Sequence, residues 1–336
     1  MKTRWKVIII SVSAGLVLVI LGISLGASLN GFYLNSAGVH IIQYDETKIT
    51  ETALGNVTDI DVDVRFSDVE FVIADTYGFD ILAYGDDWTW ELENGILRIR
   101  QASRATLSFF ISSFNIKESR VKVFLPRDAQ LGTVSVKTDS GKVNVGGFKA
   151  DGVQIYNSFG DVDVHAVTGG DMLIDMDSGH FTGTDINAQT FNYNNSFGNG
   201  RFEAVQAERL TIGCDSGDLE LRDCRTGETD LTNSFGKITA TGFYSSKATI
   251  TADSGDISLD GEFSGETIIR SDFGNVKFSS SKPKEDYSYD LGTDFGRILL
   301  DNDKFGGSVS NKSGNPSANS LTIEASSGDI EVYFAK

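Results

Sequence analysis

The sequence predicts an all-β protein folded as a single-chain β-solenoid. Glycine is abundant, with 36 residues against only 3 prolines, and short runs rich in Val, Ile, Thr and Phe lie between the glycines. Short strands separated by glycine turns are typical of all-β folds. One glycine also returns every 19 residues, and a fixed period indicates units that stack on their neighbours. These turn glycines are Gly141, Gly160, Gly179, Gly198, Gly217, Gly236, Gly255 and Gly274.

Each 19-residue unit has the same apolar pattern around its glycine. Apolar residues predominate five positions before the glycine, as at Ile155, and two and four positions after it, as at Val162 and Val164. Alternation with period two on both sides of a turn predicts strand, turn and strand, with one face of each strand buried.

The units alternate in type, which extends the repeat to 38 residues. The residue before glycine is Phe in one unit and Ser in the next, and three positions before glycine the Phe units carry Asn in three of four cases. If one coil has 38 residues, like residues stack about 4.8 Å apart and the Asn amides can bond along the axis. A 19-residue coil is the alternative, and it would separate the amides, at a cost of about 1–3 kcal/mol for each one left unsatisfied. We therefore predict the larger coil, with a structural ladder of Asn157, Asn195, Asn233, Phe159, Phe197, Phe235 and Phe273.

The repeats occupy residues 133–336 and lose their regularity near the end. The next Phe-Gly unit, at Gly296, comes after 22 residues and directly follows another Phe-Gly unit, so the alternation slips. A polar stretch from Asp303 to Asn319 is predicted to be a surface loop. Residues 51–132 have strand patterns without the period, and we predict that they form an irregular β cap, because the terminal coil of a solenoid would otherwise expose unpaired edges.

The amino-terminal segment predicts a membrane anchor. Residues 7–29 carry no charge, and as a helix they would span roughly 34 Å, enough to cross a bilayer. Three cations lie in residues 1–6 and the next one is Lys48, so the positive-inside rule places residues 1–6 in the cytoplasm and the rest outside. The prediction is a single-pass protein of the cell membrane with a tether over residues 30–50. A cleaved signal peptide, with small residues near Ser24 and Gly26, is the alternative.

Charge and cysteine content limit the partners. The formal net charge is −18, and the charges in the first six residues are all positive, so the exported part is more acidic still. Such a surface repels phosphates, and we expect no nucleic-acid partner. Cys214 and Cys224 fall at the far ends of two strands, and we expect buried thiols rather than a disulfide, although export would permit one.

The acidic turns offer two interpretations. Asp139, Asp177, Asp215 and Asp253, joined by Asp218 and Asp256, could hold calcium through carboxylate oxygens. Turn residues that bond nearby backbone amides explain the same pattern, and we favour that interpretation. Paired carboxylates on a solenoid are also typical of enzymes that cleave polysaccharides, but here they repeat at structural positions. His40, His165 and His180 lack the spacing of metal ligands. We predict no catalytic residue, metal or cofactor.

Two aromatic segments lie outside the repeat. Trp88 and Trp90 share one strand face, where they could stack on sugar rings, anchor a partner or pack as core beneath the cap, and we favour the core. The apolar stretch over residues 104–116 is predicted to be a flap over the first coil, with a membrane-contacting or partner-binding loop as the alternative.

The motifs "RVKVFLP" and "DSGKVNV" resemble the bacterial putative-adhesin family, a domain of unknown function (4097). The resemblance covers roughly residues 50–336. It implies a β-solenoid, often membrane-anchored at the cell envelope and in some relatives encoded with envelope-stress systems. No catalytic residues come with it. The expected function is a non-enzymatic binding or scaffolding module for an envelope protein or glycan, and the alternative is an envelope polysaccharide-active enzyme.

Overall fold

A computed structural model describes residues 32–35, 38–41, 46–84, 88–101, 108–109, 119–311 and 319–335. These residues are almost entirely β-strand, with one 3-10 helix at Lys284–Asp286. No helix among them is long and apolar enough to cross a membrane. The predicted membrane helix over residues 7–29 lies outside the described residues.

The described residues before the repeats form short strands and one long strand. A small antiparallel sheet has the order β2-β1-β8, and all other strands belong to one sheet of 22 strands. The strands before the repeats are β1 (Phe32–Asn35), β2 (Gly38–Ile41), β3 (Glu46–Glu51), β4 (Asp59–Ala74), β5 (Gly78–Tyr84), β6 (Trp88–Glu93), β7 (Ile96–Gln101), β8 (Ser108–Phe109) and β9 (Ser119–Pro126).

The repeats form long, mostly parallel strands. They are β10 (Gln130–Ser140), β11 (Val143–Phe159), β12 (Val162–Ser178), β13 (Phe181–Phe197), β14 (Gly200–Glu203), β15 (Gln206–Ser216), β16 (Leu219–Arg222), β17 (Arg225–Phe235), β18 (Ile238–Ser254), β19 (Ile257–Phe263), β20 (Glu266–Phe273), β21 (Val276–Pro283), β22 (Tyr287–Leu300), β23 (Asp303–Asn311), β24 (Asn319–Ser327) and β25 (Ile330–Ala335).

One coil has 19 residues, so the predicted 38-residue coil is wrong. Phe159 pairs with Ser178, and Ser178 pairs in turn with Phe197, each in parallel register. The same offset holds from β10 to β20. Phe and Ser units are therefore neighbours in the stack, and two Phe units lie about 9.6 Å apart, twice the spacing between strands.

Seven side chains of each regular coil point inward. Counted from the turn glycine, the buried positions are 2, 4, 7, 9, 12, 14 and 16, as in the coil that begins at Gly198. The steps of three residues mark two bends, in addition to the glycine turn. At the first bend position 6 adopts a positive φ, for example 54° at Ala204. The buried residues form one continuous hydrophobic core along the axis.

The turn itself requires glycine. Gly198 has a φ of 134°, and a Cβ there would lie 2.0 Å from the carbonyl oxygen of Gly179 in the preceding coil. The Gly198 amide donates to Ser216 O at 2.8 Å, so each turn bonds to the next. Only glycine combines this conformation with such a close approach of two backbones.

The two ends of the stack differ from its interior. At the amino-terminal end β4 pairs in parallel with β10, while β7 and β9 pair with the other edge of β4 and continue into the antiparallel strands β3, β5 and β6. At the other end β24 and β25 lie between β20–β21 and β22. The predicted loop that begins at Asp303 is in part strand β23, which pairs antiparallel with β22; residues 312–318 lie outside the described residues.

Candidate functional site

A row of exposed phenyl rings lies along one corner of the solenoid. Each ring belongs to the residue just before a coil's turn, and between 62% and 80% of each residue is exposed to solvent. Single exposed apolar side chains are common, whereas a regular row of them is a candidate contact surface. We call this row the phenylalanine ridge; its members are Phe66, Phe159, Phe197, Phe235, Phe273 and Phe295.

The ridge alternates strictly with serine in space, even where the sequence does not. Phe66 of β4 pairs with Ser140, which adds a ring before the first turn glycine. At the other end Ser327 pairs with both Phe273 and Phe295, because β24 lies between their strands. The apparent slip in the sequence therefore disappears in the fold. The ridge runs through eleven strands, a length of about 48 Å at the usual spacing between strands.

The predicted asparagine ladder is also corrected. Asn157, Asn195 and Asn233 are buried, but Met176 and Cys214 separate them along the axis. Instead of bonding to one another, their amides donate to backbone carbonyls of glycine turns. Asn195 Nδ2 lies 2.9 Å from Gly179 O, and the equivalent bond from Asn233 to Gly217 is 3.0 Å.

The asparagine side chains lie beside the turns that carry the ridge, and two of them also bond to those turns. Asn195 Oδ1 accepts the backbone N–H of Phe197 at 3.3 Å, so one side chain bonds the ring-bearing residue and the preceding turn. Asn157 donates to both Gly141 O and Gly160 O. Each amide thus connects a Phe coil to the serine turn of the preceding coil, while the Oδ1 atoms of Asn157 and Asn233 have no hydrogen-bond partner within the described residues.

Acidic side chains flank the ridge on both sides. On the side after the turn, Asp218 Oδ1 accepts the backbone N–H of Lys237 at 2.8 Å, and Asp256 does the same for Asn275. These contacts support the interpretation of Asp218 and Asp256 as turn residues. On the other side Asp177, Asp215 and Asp253 are exposed, one in each Ser coil, and they form no ion pair within the described part of the chain. Asp139 lies 3.7 Å from Arg65 Nε.

A shallow groove lies beside the ridge on the strand after the turn. Its lining includes the charged residues Arg201, Asp218, Glu220 and Lys237, together with the imidazole of His180. Arg201 contacts both Glu203 and Glu220, at 3.2 Å and 3.6 Å. His180 is exposed, and its Nδ1 accepts the backbone N–H of Asn199. Over the ranges that the structure describes, no three His, Cys, Asp or Glu side chains converge as metal ligands would.

The other sequence candidates lie away from the ridge. Trp88 and Trp90 are half-buried against the core, and the Trp90 ring centroid lies 5.0 Å from that of Phe79. His165 is exposed on the solenoid. The side chain of His40 in β2 lies outside the described residues. The predicted flap over residues 104–116 also lies outside them, apart from the backbone of strand β8.

The two cysteines are free and buried, as the sequence predicts. Cys224 occupies position 7 of its coil, where neighbouring coils carry Val205 and Phe243. Burial raises the pKa of the Cys224 thiol to about 11, and it also raises the pKa of Cys214. Both thiols therefore act as small apolar side chains at neutral pH.

Three solved structures resemble this fold. A putative adhesin from Bacteroides fragilis NCTC 9343 is 15% identical, with 87% of this chain and 99% of that chain covered at a TM-score of 0.34. A putative cell adhesion protein from Clostridium sporogenes is 12% identical, with 87% and 100% covered at 0.21. A putative lipid binding protein from Parabacteroides distasonis is 13% identical, with 88% and 97% covered at 0.34. A comparison with curated proteins finds no match.

A family model also matches the chain. The match runs from residue 57 to residue 333 and so includes strands β4 to β24 and most of β25. The resemblance in the motifs "RVKVFLP" and "DSGKVNV" is thereby confirmed. The chain belongs to the Toastrack family, domain of unknown function 4097.

Proposed function

We propose that the protein is a membrane-anchored, extracytoplasmic binding module that uses the phenylalanine ridge as its contact surface and carries out no catalysis. The observation that carries the proposal is the ridge itself. Serine occupies the equivalent position in every second coil, so the fold does not require a phenyl ring there. Rings that contribute little to the core and face solvent in a regular row have a role outside folding.

The location rests on the amino-terminal sequence. Residues 7–29 have the length and apolarity of a membrane span, and the cations before them favour a cytoplasmic amino terminus. A tether over residues 30–50 would then present the solenoid at the cell envelope. The acidic surface suits contact with neutral or cationic material and opposes contact with anionic lipid headgroups.

The location is tested by protease protection in intact cells. Protease added to intact cells should degrade the solenoid. Without protease, the full-length chain, identified by its intact mass, should sediment with the membrane fraction. A matched lysed sample controls for intrinsic resistance to protease. Protection of the solenoid in intact cells, or loss of about the first 26 residues from the membrane-extracted protein, would contradict the anchored arrangement.

The contact surface is tested by retention on isolated cell envelopes. The triple variant Phe159→Ser, Phe197→Ser, Phe235→Ser copies the residue of the intervening coils and should therefore fold. We expect the wild-type chain to be retained and the variant to be released. Equal retention of a folded variant would show that the ridge is not the contact surface.

A further inference from the structure

The ridge carries two chemical features with one period. Phenyl rings recur every second strand, and in the intervening Ser coils exposed carboxylates recur at the same interval, at Asp177, Asp215 and Asp253. Both intervals are about 9.6 Å. The rings form a single file, and the carboxylates lie along one edge of it, since each Asp immediately precedes the Ser of the ridge column.

We infer that the ridge binds an extended β-1,4-linked glycan of amino sugars with free amines, which rests on the binding role proposed above. In such a ribbon all ring substituents are equatorial, so each sugar face presents C–H groups that can stack on a phenyl ring. Successive sugars are turned over, so along one edge of the ribbon the amine of every second sugar recurs. With single bonds near 1.5 Å, two sugars span about 10 Å.

Charge complementarity favours this occupant. The amines along one edge of the ribbon meet carboxylates with nearly the same spacing, and those carboxylates have no cationic partner within the described residues. Glycans that carry carboxylate or phosphate groups would be repelled. A second copy of this chain would bring its own acidic columns against these, which disfavours self-association through the ridge.

The period also discriminates against other linear polymers. An extended peptide repeats its side chains on one face about every 6.8 Å, which does not match the ridge. A helix repeats about every 10.5 Å over seven residues, but it is a convex rod against a convex corner. A glycan ribbon is one ring wide and flat, and it therefore contacts a single file of rings along its whole length.

The test is direct binding of full-length protein, in a non-ionic detergent, to glucosamine oligomers of two, six and ten β-1,4-linked units, measured by calorimetry. Affinity should rise with each length, because longer oligomers span more rings. The ridge triple variant with serine at residues 159, 197 and 235 should lose about a hundredfold in affinity for the decamer. The triple variant Asp177→Asn, Asp215→Asn, Asp253→Asn should bind the decamer about tenfold more weakly than the wild type. Added salt should weaken binding by the wild type by the same factor.

Matched controls separate specific contacts from net charge. Asp151→Asn with Asp230→Asn and Asp260→Asn removes three exposed carboxylates farther from the turns and should leave the affinity unchanged. Cellulose oligomers of equal length keep the ribbon but lack amines, and they should bind more weakly than glucosamine oligomers. Thermal melting of every variant should match the wild type, since serine and asparagine are compatible with these exposed positions.

Three outcomes overturn the inference. One is no binding of the decamer, and another is equal binding by the folded ridge variant. The third is tighter, ridge-dependent binding of a cationic heptad peptide than of the decamer, which would assign the ridge to a helical partner. If the decamer fails to bind while isolated envelopes still retain the chain through the ridge, the ligand class is wrong and the proposed function stands.

Discussion

Phe273 lies directly beside Ser327, a residue that the chain reaches only after another complete Phe-Gly unit. The same serine also pairs with Phe295, so the two rings are separated by one strand, as everywhere else along the ridge. The fold therefore keeps the alternation of Phe and Ser by placing a later strand between the two rings, although the units do not alternate along the chain.

Substitution of a turn glycine should lower the free energy of unfolding far more than substitution at the neighbouring bend. Gly198→Ala places a methyl group 2.0 Å from Gly179 O at a φ of 134°, and we expect the free energy of unfolding to fall by at least about 3 kcal/mol. The control is Ala204→Gly, at a φ of 54°, which should change stability by less than about 1 kcal/mol. Urea denaturation of both variants measures the difference, and similar midpoints would contradict the role of the turn.

The buried amide of Asn195 should matter through its bonds to the backbone. Asn195→Ala leaves Gly179 O without its side-chain donor, and we expect a loss of about 1–2 kcal/mol. Asn195→Asp should cost more, because a carboxylate would face that carbonyl oxygen in the core. Ala252 occupies the equivalent position in another coil, so the alanine variant should fold. The order Asp worse than Ala, measured by denaturation, is the test; the reverse order would contradict it.

Two adjacent coils carry glycine and phenylalanine in opposite order at the same two core positions. Phe181 pairs with Gly200, and Gly183 pairs with Phe202, so the rings of Phe181 and Phe202 pack diagonally with centroids 5.1 Å apart. Gly200→Leu should cost about 1–3 kcal/mol through overpacking, since a Cβ there already meets Leu219 Cδ2 at 3.0 Å.

The compensating variant is available in the next coil. Leu219 and Leu221 occupy the positions that Gly200 and Phe202 occupy in theirs. Adding Phe202→Leu to Gly200→Leu should therefore recover part of the lost stability, and a double-mutant cycle should give a favourable coupling. Strict additivity of the two changes would contradict the exchange of volume.

The stability of the protein should fall at alkaline pH through Cys224. Its pKa is raised from 9.0 to about 11 in the folded state, so the folded protein holds the proton more tightly than the unfolded chain. The contribution is fully present below pH 9 and is lost as the pH rises through about 11, a change of about 3 kcal/mol.

Cys224→Val provides the matched control, because Val205 and Val167 occupy the same position in other coils. The variant should lose less stability between pH 9 and pH 11 than the wild type. Tyr287, whose pKa burial raises to about 12, titrates in both proteins and leaves a common residual slope. Identical pH profiles would contradict the assignment to Cys224.

The sequence predicted the all-β class and the repeat because glycine and the inward apolar positions recur with a fixed period. It did not predict the 19-residue coil, because the prediction assumed that the amide of Asn195 could bond only to another side-chain amide. A backbone carbonyl in the adjacent turn satisfies the same donor, and such acceptors leave no trace in a residue pattern.

The sequence analysis identified only four of the six residues of the ridge. Phe159, Phe197, Phe235 and Phe273 were identified as a column, but the prediction that they stack directly on one another was wrong, because a serine coil lies between each pair and the rings face solvent. Phe66 and Phe295 were missed because no constant interval connects them to the others. The motif "SDFG", which ends at Gly274, is similar to "TDFG", which ends at Gly296. This similarity indicates that Phe295 is equivalent to Phe273, but the irregular interval between the motifs obscured it.

The position of β24 and β25 between β20–β21 and β22 has a consequence for the order of folding. Every coil up to β21 can pack onto strands that precede it in the chain. Strand β22 cannot complete its parallel edge in this way, because the strands that pair there, β24 and β25, follow it in the chain. A chain truncated before residue 319 would therefore leave the edges of β20, β21 and β22 unpaired at this end of the solenoid.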